Sequence, residues 1–336
     1  MAPYKSSAGR NLGKLVKSYL TGNIGSGLGG APVGPGTLTL TVIKPDTTSE
    51  TINISSGGEF NFNTAGPYTI TAATSGSPVT VDMLMWGAGG TTVSGDGGAG
   101  GFTSGKFTFN TGSRTYYVIV GAGGGLAPVY NGSALPSTIP HSAPIPYGGG
   151  GTGSLPSSPY TYHGGGFSGF FEGNIAHADS VMIAGGGGGA ASTHEGGAGG
   201  GTTAETGNGG GGGGTQSAGG AGGPAPGGTG SGGTALAGGG GHFAGGGGGG
   251  GYYGGGGGGG SAGQGQQTSG GGGSGYFDPA LVTSGSTETG NYGTVANASS
   301  PYRNGAGGVA TAPQPGTTTN SNGSPGRVVI GLSLGL

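Results

Sequence analysis

The sequence predicts an all-β protein with a bundle of polyglycine II helices: a β-sandwich with glycine-rich left-handed helices and a short N-terminal helix. Three observations lead to this prediction. Of the 336 residues, 100 are glycine, whereas glycine usually makes up about 7% of a protein. Short apolar stretches, bounded by Gly, Pro, Asp and Ser, follow one another at the start of the chain, as in antiparallel sheets. Glycine blocks such as 245–251 and 254–260 lack the Gly-X-Y register of collagen.

Residues 1–30 are predicted to form a docking helix and a linker. The candidate docking residues are Arg10, Leu12, Leu15, Val16 and Tyr19. The apolar ones are spaced as on one helical face, and Arg10 flanks them. A helix of about three turns is only marginally stable alone, so it is expected to form against another surface. Three interpretations stay open: a peptide that attaches the protein to a larger particle, a terminal helix that packs on its own domain, and a segment that binds a membrane surface.

Residues 31–83 are predicted to form a β-sandwich-like adaptor. The stretch 37–43 alternates Thr with Leu, Leu and Val before it ends in Ile, which is the period of a half-buried strand. The predicted strands here are Thr37–Ile43, Thr51–Ile54, Glu59–Phe62, Tyr68–Ala73 and Val79–Trp86. Short strands at even spacing favour antiparallel sheets packed face to face.

Residues 84–336 are predicted to form a glycine-rich domain. A few ordinary strands are expected within it, at Phe102–Phe109, Tyr116–Val120, Val181–Ala184 and Arg327–Leu334. Glycine loses more conformational freedom on folding than any other residue, so the ordered state must offer something that only glycine permits. A left-handed polyglycine II helix, with three residues per turn and no internal hydrogen bonds, can satisfy its peptide groups by bonding to neighbouring helices. A Cβ atom in such an interior would hold the helices apart.

The composition disfavours several partners and excludes several kinds of functional site. Only 6% of the residues are charged and the net charge is −2, which disfavours nucleic acid as a partner because phosphate contacts need clustered Lys and Arg. There is no cysteine, so thiolate metal sites and cysteine nucleophiles are excluded. The five histidines are scattered, and no cofactor or metal is expected. No apolar run reaches the roughly 20 residues that cross a membrane, and Lys14 and Lys17 interrupt the pattern of a secretory signal.

Several segments in order resemble a known glycine-rich domain. They are Val81–Gly90 (VDMLMWGAGG), Tyr116–Gly125 (YYVIVGAGGG), Val181–Gly189 (VMIAGGGGG), the block Gly245–Tyr276 and Gly326–Gly331 (GRVVIG). The pattern is similar to the glycine-rich domain of bacteriophage tail-fibre and adhesin proteins, and to the extracellular glycine-rich domain of anaplastic lymphoma kinase. The resemblance implies polyglycine helices beside a β-sandwich and no catalytic activity. The kinase version carries cysteines and a membrane span, and their absence here favours the phage proteins.

Aromatic residues between the glycine blocks are the candidate receptor contacts. Those selected are Tyr130, Tyr147, Tyr160, Tyr162, Phe170 and Phe171. Rigid rings among small polar residues provide contact area at low entropic cost. The alternative is that such rings cover the rim of the glycine bundle, and this packing role is favoured for Tyr252 and Tyr253, which lie between two seven-glycine runs.

The expected function is that of a non-catalytic virion fibre or tail adhesin, located on the phage particle. Its expected partners are other virion proteins and a host surface receptor, either a glycan or an outer-membrane protein. A homo-oligomer, by default a trimer, is expected. Three alternatives stay open: a structural decoration, neck or head-fibre protein of the virion, an extracellular or cell-surface filament, and an enzymatic tail spike.

Overall fold

A computed structural model describes residues 36–54, 58–92, 95–125, 147–153, 162–261, 266–308 and 322–335. Among these residues the regular secondary structure is twelve β-strands and one 3₁₀ turn, His177–Asp179, without any α-helix. The strands are β1 (Thr37–Ile43), β2 (Ser49–Ile54), β3 (Glu59–Phe62), β4 (Gly66–Ser75), β5 (Val79–Trp86), β6 (Phe102–Phe109), β7 (Gly112–Val120), β8 (Ser168–Glu172), β9 (Ser180–Ala184), β10 (Tyr276–Phe277), β11 (Val282–Glu288) and β12 (Arg327–Gly331).

The strands form two antiparallel sheets, which confirms the all-β prediction. The seven-stranded sheet has the order β10-β9-β8-β7-β4-β1-β2, and the five-stranded sheet has the order β11-β6-β5-β12-β3. Every strand pair in both sheets is antiparallel. The predicted docking residues Arg10, Leu12, Leu15, Val16 and Tyr19 lie outside the described residues, so the N-terminal helix stays a prediction.

The main hydrophobic core lies between the two sheets. In β1 the alternating residues Leu38, Leu40 and Val42 are fully buried, whereas the threonines between them face outward. The core also holds a set of aromatic rings: Phe107 and Phe109 of β6 and Tyr116 of β7 meet at centroid distances of 5.0–5.7 Å. Alternation with period two is therefore what places one face of each strand in this core.

The predicted division between an adaptor and a glycine-rich domain is not how the strands assemble. The boundary between residues 83 and 84 falls inside β5. Strands β1, β2 and β4 share one sheet with β7 to β10, and β3 pairs with β12 from the end of the chain. The physical reason is that each sheet buries its apolar face against the other, so neither half of the chain has a core of its own.

Three strands were not predicted from the sequence. β8 (SGFFE) and β10 (YF) are too short to show a period, and β11 (VTSGSTE) is polar because it is an exposed edge of its sheet. Of the predicted strands, Thr37–Ile43, Glu59–Phe62, Val79–Trp86 and Phe102–Phe109 have the same bounds in the structure.

The glycine segments extend from one end of this sandwich. Strands β5, β7 and β9 run into segments 87–92, 121–125 and 185–191, and other segments lead back into β6, β8, β10 and β12. These segments have no ladder partners of the kind that define strands. Their peptide groups bond sideways, mostly to segments distant in sequence.

Segment 185–191 illustrates the bonding, which repeats every three residues. The N–H groups of Gly186 and Gly189 donate to Gly250 and Gly247 of one neighbour at 2.7 and 2.8 Å. Gly187 donates to Ala88 (2.9 Å) and Gly188 to Gly197 (2.8 Å), each in a different neighbour. The carbonyl groups accept from three more segments, so this one is surrounded by six: 87–92, 95–101, 162–167, 194–200, 245–251 and 270–273. Neighbours on all sides therefore satisfy its backbone.

The spacing between these segments leaves no room for a side chain. A Cβ atom added at Gly187, Gly249 or Gly255 would lie closer than 3.0 Å to a backbone carbonyl oxygen of a neighbouring segment. Within the runs 185–189, 245–251, 254–260 and 270–273, no glycine has a φ in the positive region. Glycine is required here because the backbones approach closely, and not because it permits left-handed turns.

Candidate receptor-binding site

Two of the candidate receptor contacts belong to the core. Phe170 and Phe171 lie on β8 with no exposed surface. Phe170 stacks on Tyr116 between the sheets at a centroid distance of 5.3 Å, and Phe171 packs with Phe167 on the outer side of the same sheet. The prediction that they contact a receptor is wrong, because successive strand residues point to opposite faces and both faces are covered here.

A third candidate is buried in the glycine bundle. Tyr162 is 6% exposed, and its carbonyl accepts the N–H of Gly247 at 2.7 Å. Because Tyr162 is buried, it is not a receptor contact. Tyr147 is half-buried, and its carbonyl accepts the N–H of Ala122, two residues beyond β7, which places it near the sandwich. Tyr130 and Tyr160 lie outside the described residues and stay predictions.

Some turns of the bundle lie at the end remote from the sandwich, which we call the distal end. The turn 191–194 lies against residues 91–95: Ala190 donates to Thr91, and Gly95 donates to Ser192. Thr91 also donates to His163, next to the Tyr162–Gly153 hydrogen bond. The segments 93–94, 154–161 and 262–265, which lie outside the described residues, are all flanked by residues at this level of the bundle.

Three histidines lie at the distal end. His163 is 6% exposed, and its Nδ1 accepts the N–H of Gly153 at 3.3 Å. Burial lowers the pKa of this imidazole, so it is neutral at neutral pH. His242 contacts the carbonyl of Gly260 at 3.4 Å, and His194 closes its own turn through a backbone bond to Ala191. Within the described part of the chain no three His, Asp or Glu residues are grouped to hold a metal ion.

A second aromatic group lies where the bundle meets the seven-stranded sheet. Tyr252 stacks between Tyr276 (3.8 Å, 7°) and His177 (4.0 Å, 25°), and Tyr253 meets His177 edge-on at 4.7 Å. Burial raises the pKa of Tyr276 to about 12 and lowers that of His177, so these two rings are uncharged at neutral pH. Tyr252 and Tyr276 also pack on the cluster that contains Phe171. These contacts agree with the predicted packing role of Tyr252 and Tyr253.

The described residues contain no helix that is long and apolar enough to cross a membrane. No protein-family model matches the chain, and no curated protein matches it significantly. The geometry of the sandwich and of the bundle therefore carries the functional interpretation.

Proposed function

We propose that this protein is a non-catalytic fibre or tail adhesin of a bacteriophage virion. Its N-terminal segment attaches it to the particle, and the distal end of the glycine bundle faces the host surface. One observation carries the proposal: the segment predicted to dock and the turns available for recognition join the described structure at opposite ends.

The direction of the strands defines these two ends. Thr37, at the start of β1, pairs with Ser75 at the end of β4, whereas Gly66 at the start of β4 pairs with Val120, where β7 enters the bundle. Residues 1–35 therefore join the sandwich at the end remote from the bundle. Strands of about eight residues at about 3.3 Å each and bundle segments of about seven residues at about 3.1 Å each separate the two ends by roughly 50 Å.

We also propose that the segments of the bundle are left-handed polyglycine II helices. Hydrogen bonds that return to the same neighbour after three residues, as from Gly186 and Gly189, support this assignment. So do the six neighbours of segment 185–191 and the lack of positive φ in the long runs. A helix with three residues per turn points successive peptide groups in three directions, which is the pattern that such packing requires.

A rigid scaffold of this kind suits presentation at a particle surface. Each additional helix is bonded along its length to its neighbours, so the turns at the distal end are held in fixed relative positions. The predicted helix around Arg10, Leu12, Leu15, Val16 and Tyr19 docks on other virion proteins. The partner at the other end is a host surface glycan or outer-membrane protein, and several copies, by default three, add avidity.

The test uses two Fab fragments on intact particles that carry the full chain. One Fab is raised against the turn 191–194, which lies at the distal end, and the other against residues 1–30. In negative-stain micrographs the first is expected at the outermost point of a fibre or tail tip, at a few copies per particle. The second is expected to fail to bind intact particles and to bind the free protein. Dense labelling over the head, or outward binding by the second Fab, would contradict the adhesin and favour a decoration protein.

A further inference from the structure

A cleft of about 370 Å³ opens beside the first residue of β12. Its walls are Arg327, Asn63, the turn 304–306 and the segment 324–326. Gly305 has open space around its Cβ position. Within the described part of the chain no acidic residue lines it, and its polar lining residues are Arg327, Asn63, Asn304 and Ser324. We call it the Arg327 cleft.

Arg327 is a largely buried cation. The residue is 8% exposed, and its Nη2 donates to Asn61 Oδ1 at 2.7 Å. Its Nε has no hydrogen-bond partner among the described residues. Within the same part of the chain, no carboxylate forms an ion pair with Arg327; the ion pairs found there involve Lys44, Lys106 and Arg114. Burial lowers the pKa of the guanidinium, which Glu59 partly opposes.

Trp86, the residue paired with Arg327, also carries a buried nitrogen without a hydrogen-bond acceptor among the described residues. This nitrogen is Nε1, and Trp86 lies opposite Arg327 in the β5–β12 ladder. Directly opposed strand residues have Cβ atoms about 5 Å apart, so two donors without acceptors lie near the same wall. Buried donors and buried charges are usually satisfied in folded proteins. Both atoms are enclosed, so an anion in the cleft would offset the charge of the guanidinium and bond to its Nη groups, and not to Nε or to Trp86.

We propose that the Arg327 cleft binds the carboxylate of an acidic sugar. A planar guanidinium matches a carboxylate with two parallel hydrogen bonds. Among the described residues Arg327 is the one cation that lines the cleft, so a monoanion balances it, whereas a phosphate dianion leaves negative charge uncompensated. The amides of Asn63 and Asn304 and the hydroxyl of Ser324 offer donors and acceptors for sugar hydroxyls.

The neighbouring arginine helps to form the cleft without lining it. Arg303 donates from Nη1 to the carbonyl of Ala306 (3.0 Å) and from Nε to that of Ala298 (3.3 Å). These bonds hold the turn 304–306 in place. A nucleic acid is a poor fit, because phosphate chains need arrays of cations.

This site goes beyond the proposed function and does not depend on it. The cleft lies where β12 leaves the bundle, whereas the proposed receptor contacts lie at the distal end. A binding measurement on the purified full chain tests the cleft whether or not the protein is part of a virion.

The first experiment is isothermal titration calorimetry of the full chain with glucuronate, with glucose as the neutral control and with inorganic phosphate. Glucuronate is expected to bind about tenfold more tightly than either of the others. Equal binding of glucose, tighter binding of phosphate, or no heat from glucuronate would each overturn the proposal. An oligouronate that binds more tightly than the monosaccharide identifies a polysaccharide as the source, and equal binding identifies a free sugar acid.

Variants then locate the binding. Arg327→Gln removes the charge and is expected to weaken glucuronate binding about tenfold or more. Because Arg327 is buried, this change also affects stability, so Asn63→Asp provides a second route: Asn63 is exposed, and a carboxylate there competes for the guanidinium. Asn110→Asp, the same change at an exposed residue at the remote end, is the matched control and should bind as the unmodified chain does. Unchanged binding by Asn63→Asp, in a chain with an unchanged unfolding temperature, would sink the proposal.

Discussion

The sandwich and the glycine bundle differ in the groups that fill their interiors. In the sandwich, side chains fill the space between the sheets, and rings such as Phe170 and Tyr116 touch one another. In the bundle, the peptide groups themselves fill the interior, and a single methyl group at Gly249 would collide with the carbonyl of Gly186. The first core is damaged by removing volume and the second by adding it.

The two regions also differ in how their hydrogen bonds are shared. A strand such as β4 bonds to β1 on one side and β7 on the other, whereas segment 185–191 bonds to six neighbours. Each glycine segment therefore depends on many others being in place. We infer that the bundle forms as one cooperative unit on the end of the sandwich, and the predictions below test this contrast.

The largest effect is expected from removing volume in the sandwich. Phe170→Ala deletes a ring with no exposed surface that meets Tyr116 and Phe107. A loss of about 3–5 kcal/mol in the free energy of unfolding is expected, from lost burial and the cavity left behind. Chemical denaturation followed by circular dichroism measures it. A loss below about 1 kcal/mol would show that Phe170 is not a core residue and would restore it as a surface candidate.

The next effect is expected from adding a methyl group in the bundle. Gly249→Ala places a Cβ against the backbone oxygen of Gly186, which cannot rotate away, and a loss of roughly 3 kcal/mol is expected. Gly232→Ala is the matched control, because the nearest atom to its Cβ is the carbonyl oxygen of Gly220 at 3.4 Å. That variant should be unchanged or more stable by about 0.4–1 kcal/mol, since alanine restricts the unfolded chain. Equal losses of stability in both variants would show that close backbone packing at Gly249 is not what requires glycine there.

A smaller loss of stability is expected at acidic pH, because His163 is buried at the distal end of the bundle. Burial lowers the pKa of His163, so below the unfolded value of about 6.5 the unfolded chain binds the proton first. Stability is complete above that pH and falls as pH drops toward the folded pKa, by about 1.4 kcal/mol for each unit between the two values. Denaturation at about pH 7.5 and about pH 5 should show this loss.

His163→Gln should retain part of the stability that the unmodified chain loses in acid. The remainder belongs to His177, whose pKa burial also lowers. An identical acid loss in the variant would mean that His163 is not responsible.

The smallest effect is expected where the two regions meet. Tyr252→Leu keeps an apolar side chain but removes the stack between Tyr276 and His177, at a cost of about 0.5–1.5 kcal/mol. Tyr252→Phe keeps the ring and should lose less, as thermal unfolding can measure. If both variants lose the same amount, the hydroxyl contributes and the stacking does not.

Local pattern predicted much of the sandwich. Alternation in 37–43 and the apolar run 79–86 were sufficient to place β1 and β5, because the period of two reflects burial of one face. The same approach missed β8, because a five-residue strand buried on both faces has no alternation to read. Without β8, Phe170 and Phe171 look like aromatic residues between glycine blocks, where receptor contacts are expected.

The candidate site was predicted less well than the fold. Aromatic residues near glycine runs look alike in sequence whether they face solvent or the core, and Tyr162 proved to be buried. Arg327 gave no signal at all, since a lone arginine before VVI reads as the start of a strand. Its role became visible only through Asn61 and Trp86, which are remote in sequence.

The sequence by itself determined the β-strand class of the early region, the need for close backbone packing in the glycine runs and the absence of cysteine chemistry. These follow from composition and short-range period, which act through neighbouring residues. Only the tertiary structure decided that strands from both parts of the chain share two sheets, that the bundle extends from one end of them, and that a buried guanidinium lines an open cleft. Pairings such as Val328 with Phe62 join residues far apart in the chain, and their partners are selected by mutual burial that no local pattern encodes.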